Sequence, residues 1–196
     1  IERKTKVKRI LSIRISEKQN RKVVVNRTWE FDRKISNRVG SESTRDLVGM
    51  SRFVLPKGTY ICDISGHDGN DSLRQFINSF EFDIKTLNDD RFTLSDLQLA
   101  NSIVKSTNTE SPFYKNHYEK LPNPSLIFGG EMPVIFLYCE LYGLNLNIQS
   151  KTIQLDYFLL DGDRNELMRK TRYIPNSIPS MVFVKPVNIR NFPSGR

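Results

Sequence analysis

Cysteine, histidine, tryptophan and glycine are all scarce in this 196-residue chain, which holds 2 Cys, 2 His, 1 Trp and 10 Gly. Each scarcity narrows the chemistry. Cys62 and Cys139 each sit inside an apolar, strand-like run, and a bridge between them needs both in one core at a Cα separation of about 4.4–6.8 Å. They fall in different expected domains, so two buried free thiols are expected instead. His67 and His117 lie in polar, turn-rich segments, and no set of His, Cys or carboxylates stands at metal-ligand spacing beside His117, which argues against zinc. The oxygen-rich run Asp63, Ser65, His67, Asp68, Asn70, Asp71, Ser72 departs from the calcium-loop pattern. Counted from Asp68, the sixth position is Leu73 where that loop has Gly, and the twelfth is Ser79 where it has Glu. It reads as a solvated strand connection.

The machinery of covalent and phosphate chemistry is missing as well. There is no Gly-x-Ser-x-Gly elbow and no glycine-rich phosphate loop, and Gly129-Gly130 reads as a turn. The carboxylate pairs Asp89-Asp90 and Asp161 with Asp163 fall in turns, where such residues cap and solvate. No catalytic residue, cofactor or metal is expected. Long hydrophobic runs are lacking: the longest uncharged apolar stretch, 133–139, is far short of the ~20 residues of a membrane helix. The chain opens on Ile1 without the basic, apolar and small-residue series of a signal peptide, so it reads as a processed or trimmed piece.

What is present is alternation. Ile10, Ser12 and Arg14 against Leu11, Ile13 and Ile15, then Val23, Val25 and Arg27 against Val24, Asn26 and Thr28, carry the period of two that marks half-buried strands. Further β-branched or aromatic runs cover 59–65, 79–85, 133–142, 153–160, 167–174 and 181–187, bounded by Gly, Pro, Asn or Asp. One stretch is ambiguous: Leu73, Phe76, Ile77 and Phe80 fall at helical spacing, while Phe76, Asn78, Phe80, Phe82 and Ile84 alternate. Its second half reads as strand, and a short helical turn before it stays open. The chain is therefore expected to be all-β.

Hairpin signals repeat. Strand, polar turn and a strand ending in basic and aromatic residues occur over 11–31, around Glu17-Lys18-Gln19-Asn20, and again over 156–174, around 161–165. The run Phe53 to Gly58 resembles 189–195 in pattern. Two similar units follow, expected as tandem immunoglobulin-like β-sandwiches incomplete at the chain ends. We place a basic domain over 1–92 that lacks an opening strand, a connecting segment over 93–130 that packs against both domains, and a second domain over 131–196 without its last strands. Tyr60-Ile61-Cys62 after a Pro-x-Gly turn matches the tyrosine corner of immunoglobulin-like domains, although no cysteine precedes Cys62 to form their bridge. Gly58 is expected to need a positive φ.

Charge is uneven. Residues 1–52 hold 15 basic and 6 acidic side chains, a net +9, and the remainder carries −1. Lys4, Lys6, Lys8, Arg9, Arg14, Arg21, Lys22 and Arg27 are the candidate polyanion or partner surface. The plainer account is that Lys and Arg solvate the outer face of a sheet. Phe113, Tyr114, Tyr118 and Phe128 are candidates for a carbohydrate platform, with core packing as the simpler role.

Several short motifs carry a family resemblance: Arg27-x-Trp29, Leu55-Pro56-x-Gly58-x-Tyr60, Leu94-Ser95-Asp96-Leu97-x-Leu99, Pro122-Asn123-Pro124-Ser125, Tyr138-x-Glu140-Leu141-Tyr142-x-Leu144 and Phe192-Pro193-Ser194-Gly195. From about Arg27 onward the chain resembles the N-terminal part of GWxTD-domain proteins of Bacteroidetes and Chlorobi-type bacteria. The namesake Gly-Trp-x-Thr-Asp motif is absent, since Trp29 is followed by Glu30. The resemblance implies paired immunoglobulin-like sandwiches in an exported cell-envelope protein, periplasmic or outer-membrane associated, and it implies no catalytic residue. Asn123-Pro124-Ser125 is then a Pro-locked turn and 138–144 an amphipathic strand. The expected function is a non-enzymatic structural or docking subunit with protein partners in a multi-subunit envelope complex. Membrane association is expected only through a partner or a missing anchor, and nucleic acid is not an expected partner. The alternative is a polyanion- or carbohydrate-binding module using the basic face of 1–52.

Overall fold

A computed structural model describes residues 5–35, 48–69, 71–85, 91–146 and 151–193. It is all-β, as the alternation requires: the described residues form twelve strands and one short 3-10 turn, arranged in antiparallel sheets. The chain divides into two compact units, 1–47 with 52–86, and 48–51 with 87–196.

In the first unit, β1 (Thr5–Glu17), β2 (Val23–Ile35), β3 (Gly58–Asp68) and β4 (Asp71–Ile84) form one sheet in the order β2-β1-β3-β4. The ambiguous stretch after Asp71 is strand throughout, because pairing with β3 from Gln75 to Ile84, and again at Asp71, outweighs the local helical spacing. Register sorts the side chains into rows on one inner face: Trp29–Leu11–Gly66–Phe76, then Arg27–Ile13–Ile64–Asn78, then Val25–Ile15–Cys62–Phe80. Ile15, Tyr60 and Cys62 are the buried centre, with Phe53 and Leu55 packed against them. The Tyr60 hydroxyl donates to the Pro56 carbonyl at 2.9 Å, so the tyrosine corner read from the sequence is formed. Gly58 does not have the positive φ expected of it. A Cβ there meets the Tyr60 ring at 3.4 Å, an ordinary contact. The opposite, outer face carries polar pairs among its residues: the Ser12 and Thr28 hydroxyls lie 2.9 Å apart, Ser79 donates to Asp63 at 2.7 Å and Thr59 donates to Asp83 at 2.7 Å.

In the second unit, β5 (Thr93–Leu94), β6 (Gln98–Lys105), β7 (Tyr114–Lys115), β8 (Tyr118–Pro122), β9 (Val134–Tyr142) and β12 (Ser180–Asn188) share a six-stranded sheet, order β12-β9-β6-β8-β7 with β5 on β9. The connector expected over 93–130 is thus where four of these strands lie. β10 (Thr152–Leu160) and β11 (Glu166–Pro175) form a separate hairpin. Ile153, Leu155, Tyr157 and Ile174 of that hairpin pack against Cys139, Leu141, Leu144 and Phe183, which makes two layers. The two hairpins that the sequence repeat pointed to, β1–β2 and β10–β11, each turn through an arginine in the left-handed region, Arg21 at φ 59° and Arg164 at φ 67°.

β9 is not the amphipathic strand expected of 138–144. Tyr138, Cys139, Glu140 and Leu141 are all buried, since β9 is flanked by β12 and by β5 and β6 and is covered on both faces. Gly143 at φ 69° turns the chain out of β9, and a Cβ there would stand 2.6 Å from the Arg91 carbonyl oxygen.

Candidate functional site

Two places in the chain gather polar or unpartnered groups. In the first unit, strand alternation divides the basic residues of the candidate surface. Lys8 and Arg14 lie on the outer face, Arg9 and Arg27 share the inner face with Leu11 and Ile13, and Arg21 and Lys22 sit at the β1–β2 turn. Lys4 and the Lys6 side chain lie outside the described residues, as do Asp89 and Asp90. The outer face is mixed in sign: Lys8 Nζ is 2.7 Å from Glu30 Oε2 and Lys18 Nζ is 2.7 Å from Glu81 Oε1. Hydrogen bonding to Glu30, then its charge, raises the Lys8 pKa above its ordinary value. His67 is exposed on β3 and His117 is in the β7–β8 turn, its Nδ1 3.3 Å from the Tyr114 hydroxyl. Among the described residues no three His, Cys, Asp or Glu side chains gather as a metal site, and no helix is long and apolar enough to cross a membrane.

The feature that sequence reasoning missed in this unit is how incompletely its sheet is covered. Phe76 lies across Gly66, where an added Cβ would be 2.3 Å from the ring, so glycine is what lets the ring rest on β3. Phe76 nevertheless remains 53% exposed and Phe80 46%, while Leu73 and Ile77 are 90% and 71% exposed. Leu11, Trp29 and Phe31 are half-buried on the same inner face. Trp29 is thus only partly covered. β4 hydrogen-bonds to β3 alone among the described strands. The alternation of Phe76, Phe80 and Phe82 was legible in the sequence, but it points equally to a buried face.

The second place is a buried polar network on β9. Glu140 accepts from the Tyr138 hydroxyl at 2.9 Å and from the Tyr142 hydroxyl, and its carboxylate pairs with Lys115. Its own backbone N–H donates to Ser95 Oγ at 2.9 Å, and the Ser95 N–H donates to the Glu140 carbonyl at 2.9 Å. Asn116 donates to the Tyr138 hydroxyl at 2.9 Å. The buried Lys120 donates to Gln98 at 2.7 Å and places its Nζ 3.7 Å from the centre of the Tyr138 ring. Burial pushes the Glu140 carboxyl up, but hydrogen bonds from Lys115, Tyr142 and Tyr138 more than reverse this and hold it below its ordinary value. Burial, reinforced by the bond to Glu140, raises Tyr138 and pushes Tyr142 up to about 12. Each carboxylate oxygen is already engaged, so the network ties β5, β7 and β9 together rather than holding an acid or base toward solvent. The signal for it was Tyr138-x-Glu140-x-Tyr142, three polar-tipped residues on one face of an otherwise apolar strand.

The remaining candidates resolve into packing and turns. Phe113, Tyr114, Tyr118 and Phe128 are half-buried, and Tyr118 packs against Ala100, Ile103 and Tyr138. Asn123 donates to the Ile127 carbonyl at 2.7 Å and accepts from Ser125 at 2.7 Å, which forms the turn expected at 123–125. Asp161 accepts the Asp163 and Asn165 backbone N–H groups at 2.9 and 2.8 Å, and the Asn165 side chain at 2.9 Å. Those bonds, the Asn165 side chain first, hold its carboxyl below the ordinary value. Cys62 and Cys139 are buried and free, each with its pKa raised chiefly by burial. No family model, curated protein or solved structure matches the chain.

Proposed function

We propose that the chain is a docking subunit, a non-enzymatic member of a larger assembly. One observation carries this reading: the first unit ends in a 14-residue strand, β4, that among the described residues is paired on one side only and exposes Leu73, Phe76, Ile77 and Phe80. Exposed apolar side chains on an open strand are what β-strand addition uses, backbone hydrogen bonds supplying affinity and side-chain contacts specificity. The cell envelope as the setting, and immunoglobulin-like sandwiches as the finer class of fold, rest on the resemblance to GWxTD-domain proteins and on the Tyr60 corner. Affinity purification from solubilised envelopes tests the reading. A protein, or a second copy of the chain, recovered in fixed ratio with the wild-type chain and lost with Ile77→Lys supports it; recovery of the wild-type chain as a monomer with no fixed-ratio companion overturns it.

The polyanion reading keeps one observation in its favour, the exposure of Arg14, Arg21, Lys22 and Arg27. Heparin retention that weakens steeply with salt supports it, and absence of retention at low salt ends it.

A further inference from the structure

We infer that the partner of β4 is a second copy of this chain, paired antiparallel to it across a two-fold axis. This rests on the docking reading above and names its occupant. The first support is what β4 lacks. Natural sheets blunt their edges with proline, lysine, charge or shortness. In the second unit the edge strand β12 carries Lys185 and Pro186, and the edge strand β7 is 2 residues long. In the first unit the far edge, β2, carries Arg27, Glu30, Asp32, Arg33 and Lys34. β4 runs 14 residues with neither proline nor lysine, and its middle, Gln75 to Phe80, has no charge.

The second support is self-complementarity. A two-fold axis perpendicular to the sheet keeps both inner faces on the same side, so residues i and j of the two copies pair only when their sum is even. With Asn78 on the axis, Phe76 faces Phe80 of the second copy, twice over, on the inner face, and Arg74 faces Phe82, a cation–π pairing. On the outer face Gln75 meets Glu81 and Ile77 meets Ser79. No like charges are opposed. Sliding by one allowed step toward Ile77 on the axis sets Asp71 against Asp83 and separates Phe76 from Phe80; sliding the other way places Ile77 against Glu81. Like charge disfavours the first slide; the second keeps a Phe76–Phe82 contact but loses the Arg74–Phe82 pairing and sets Asn78 against Phe80, so the Asn78 register keeps the most matched contacts.

The third support is size. At about 3.3 Å per residue β4 is roughly 45 Å long, and a sheet layer about 10 Å deep gives roughly 450 Å² per copy. This lies at the small end of specific interfaces, so the expected dimer is reversible, with dissociation in the micromolar range.

Sedimentation equilibrium of the purified chain over a wide concentration range is the test. The expected result is a monomer–dimer equilibrium that Ile77→Lys and Phe80→Lys weaken roughly tenfold or more while circular dichroism is unchanged. Register is read by Asn78→Cys in a Cys62→Ala background: opposite residues stand about 4.5–5.5 Å apart, within disulfide reach. Mild oxidation should link two copies through position 78 and not through Gln75→Cys, which the axis holds about 20 Å from its counterpart. A chain that stays monomeric at all concentrations, a dimer indifferent to both lysine variants, or equal cross-linking at 75 and 78 overturns the inference. Monomers whose Ile77→Lys variant still loses a fixed-ratio envelope partner overturn self-pairing alone and leave the docking reading standing.

Discussion

The two units solve the same problem, burying a β-sheet face, to different degrees. The second lays the β10–β11 hairpin over one face of its sheet, and on the other face it fills β9 with Tyr138 and Glu140, each satisfied by hydrogen bonds. The first packs Phe53 and Leu55 over the Ile15–Cys62 row and leaves Trp29, Phe76 and Phe80 partly in water. A covered sheet can afford a buried carboxylate only if every oxygen is paired, and an open one needs no such network but offers an edge. A satisfied buried network and an open apolar strand thus lie in different units.

The comparison breaks if the two aromatic truncations cost the same. Tyr138→Ala removes a fully buried ring that also donates to Glu140, so chemical denaturation should show a loss of about 3–5 kcal/mol. Next comes Glu140→Ala, which strands the Tyr138 and Tyr142 hydroxyls without their acceptor and should cost about 2–4 kcal/mol. Amide hydrogen exchange should place that loss in β5, β7 and β9 and leave β1–β4 protected; uniform deprotection would mean that the units do not open separately. Trp29→Ala removes a half-buried ring and should cost about 1–2 kcal/mol.

Titration sharpens the same contrast. Tyr142 is raised to about 12 in the folded chain, so its contribution is intact below the ordinary tyrosine value of 10.0 and is lost as pH rises through about 12. Tyr138 adds in the same direction. Glu140 is lowered, so its contribution is present above the ordinary 4.5 and fades as pH falls through its lower folded value. Melting curves should show an alkaline loss of stability that Tyr142→Phe diminishes, and an acid loss that Glu140→Gln removes. The smallest effect expected is at His67, exposed on the outer face: His67→Ala should move the melting midpoint within error, a change under about 0.5 kcal/mol.

The strands were legible because a period of two needs only neighbouring residues. The hairpin at 161–165, the turn at 123–125 and the Tyr60 corner were legible for the same reason, each being closed by groups within four or five positions. Legibility failed where partners came from afar. Segment 93–130 has short apolar runs and many turn formers, so by itself it reads as a connector, and only pairing with β9 and its neighbours makes it sheet. Trp29 and Phe80 carry the alternation of core residues, yet whether a strand face is covered depends on what packs over it.

The sequence by itself determined that this protein is all-β and where several of its turns fall, because propensity and turn chemistry act over a few residues. Tertiary structure alone decided that Glu140 is ringed by Tyr138, Tyr142 and Lys115, that Lys8 and Arg14 face away from Arg9 and Arg27, and that β4 pairs with β3 alone among the described strands. Those outcomes depend on register and on which sheet gains a second layer, quantities set by contacts between residues far apart in the chain.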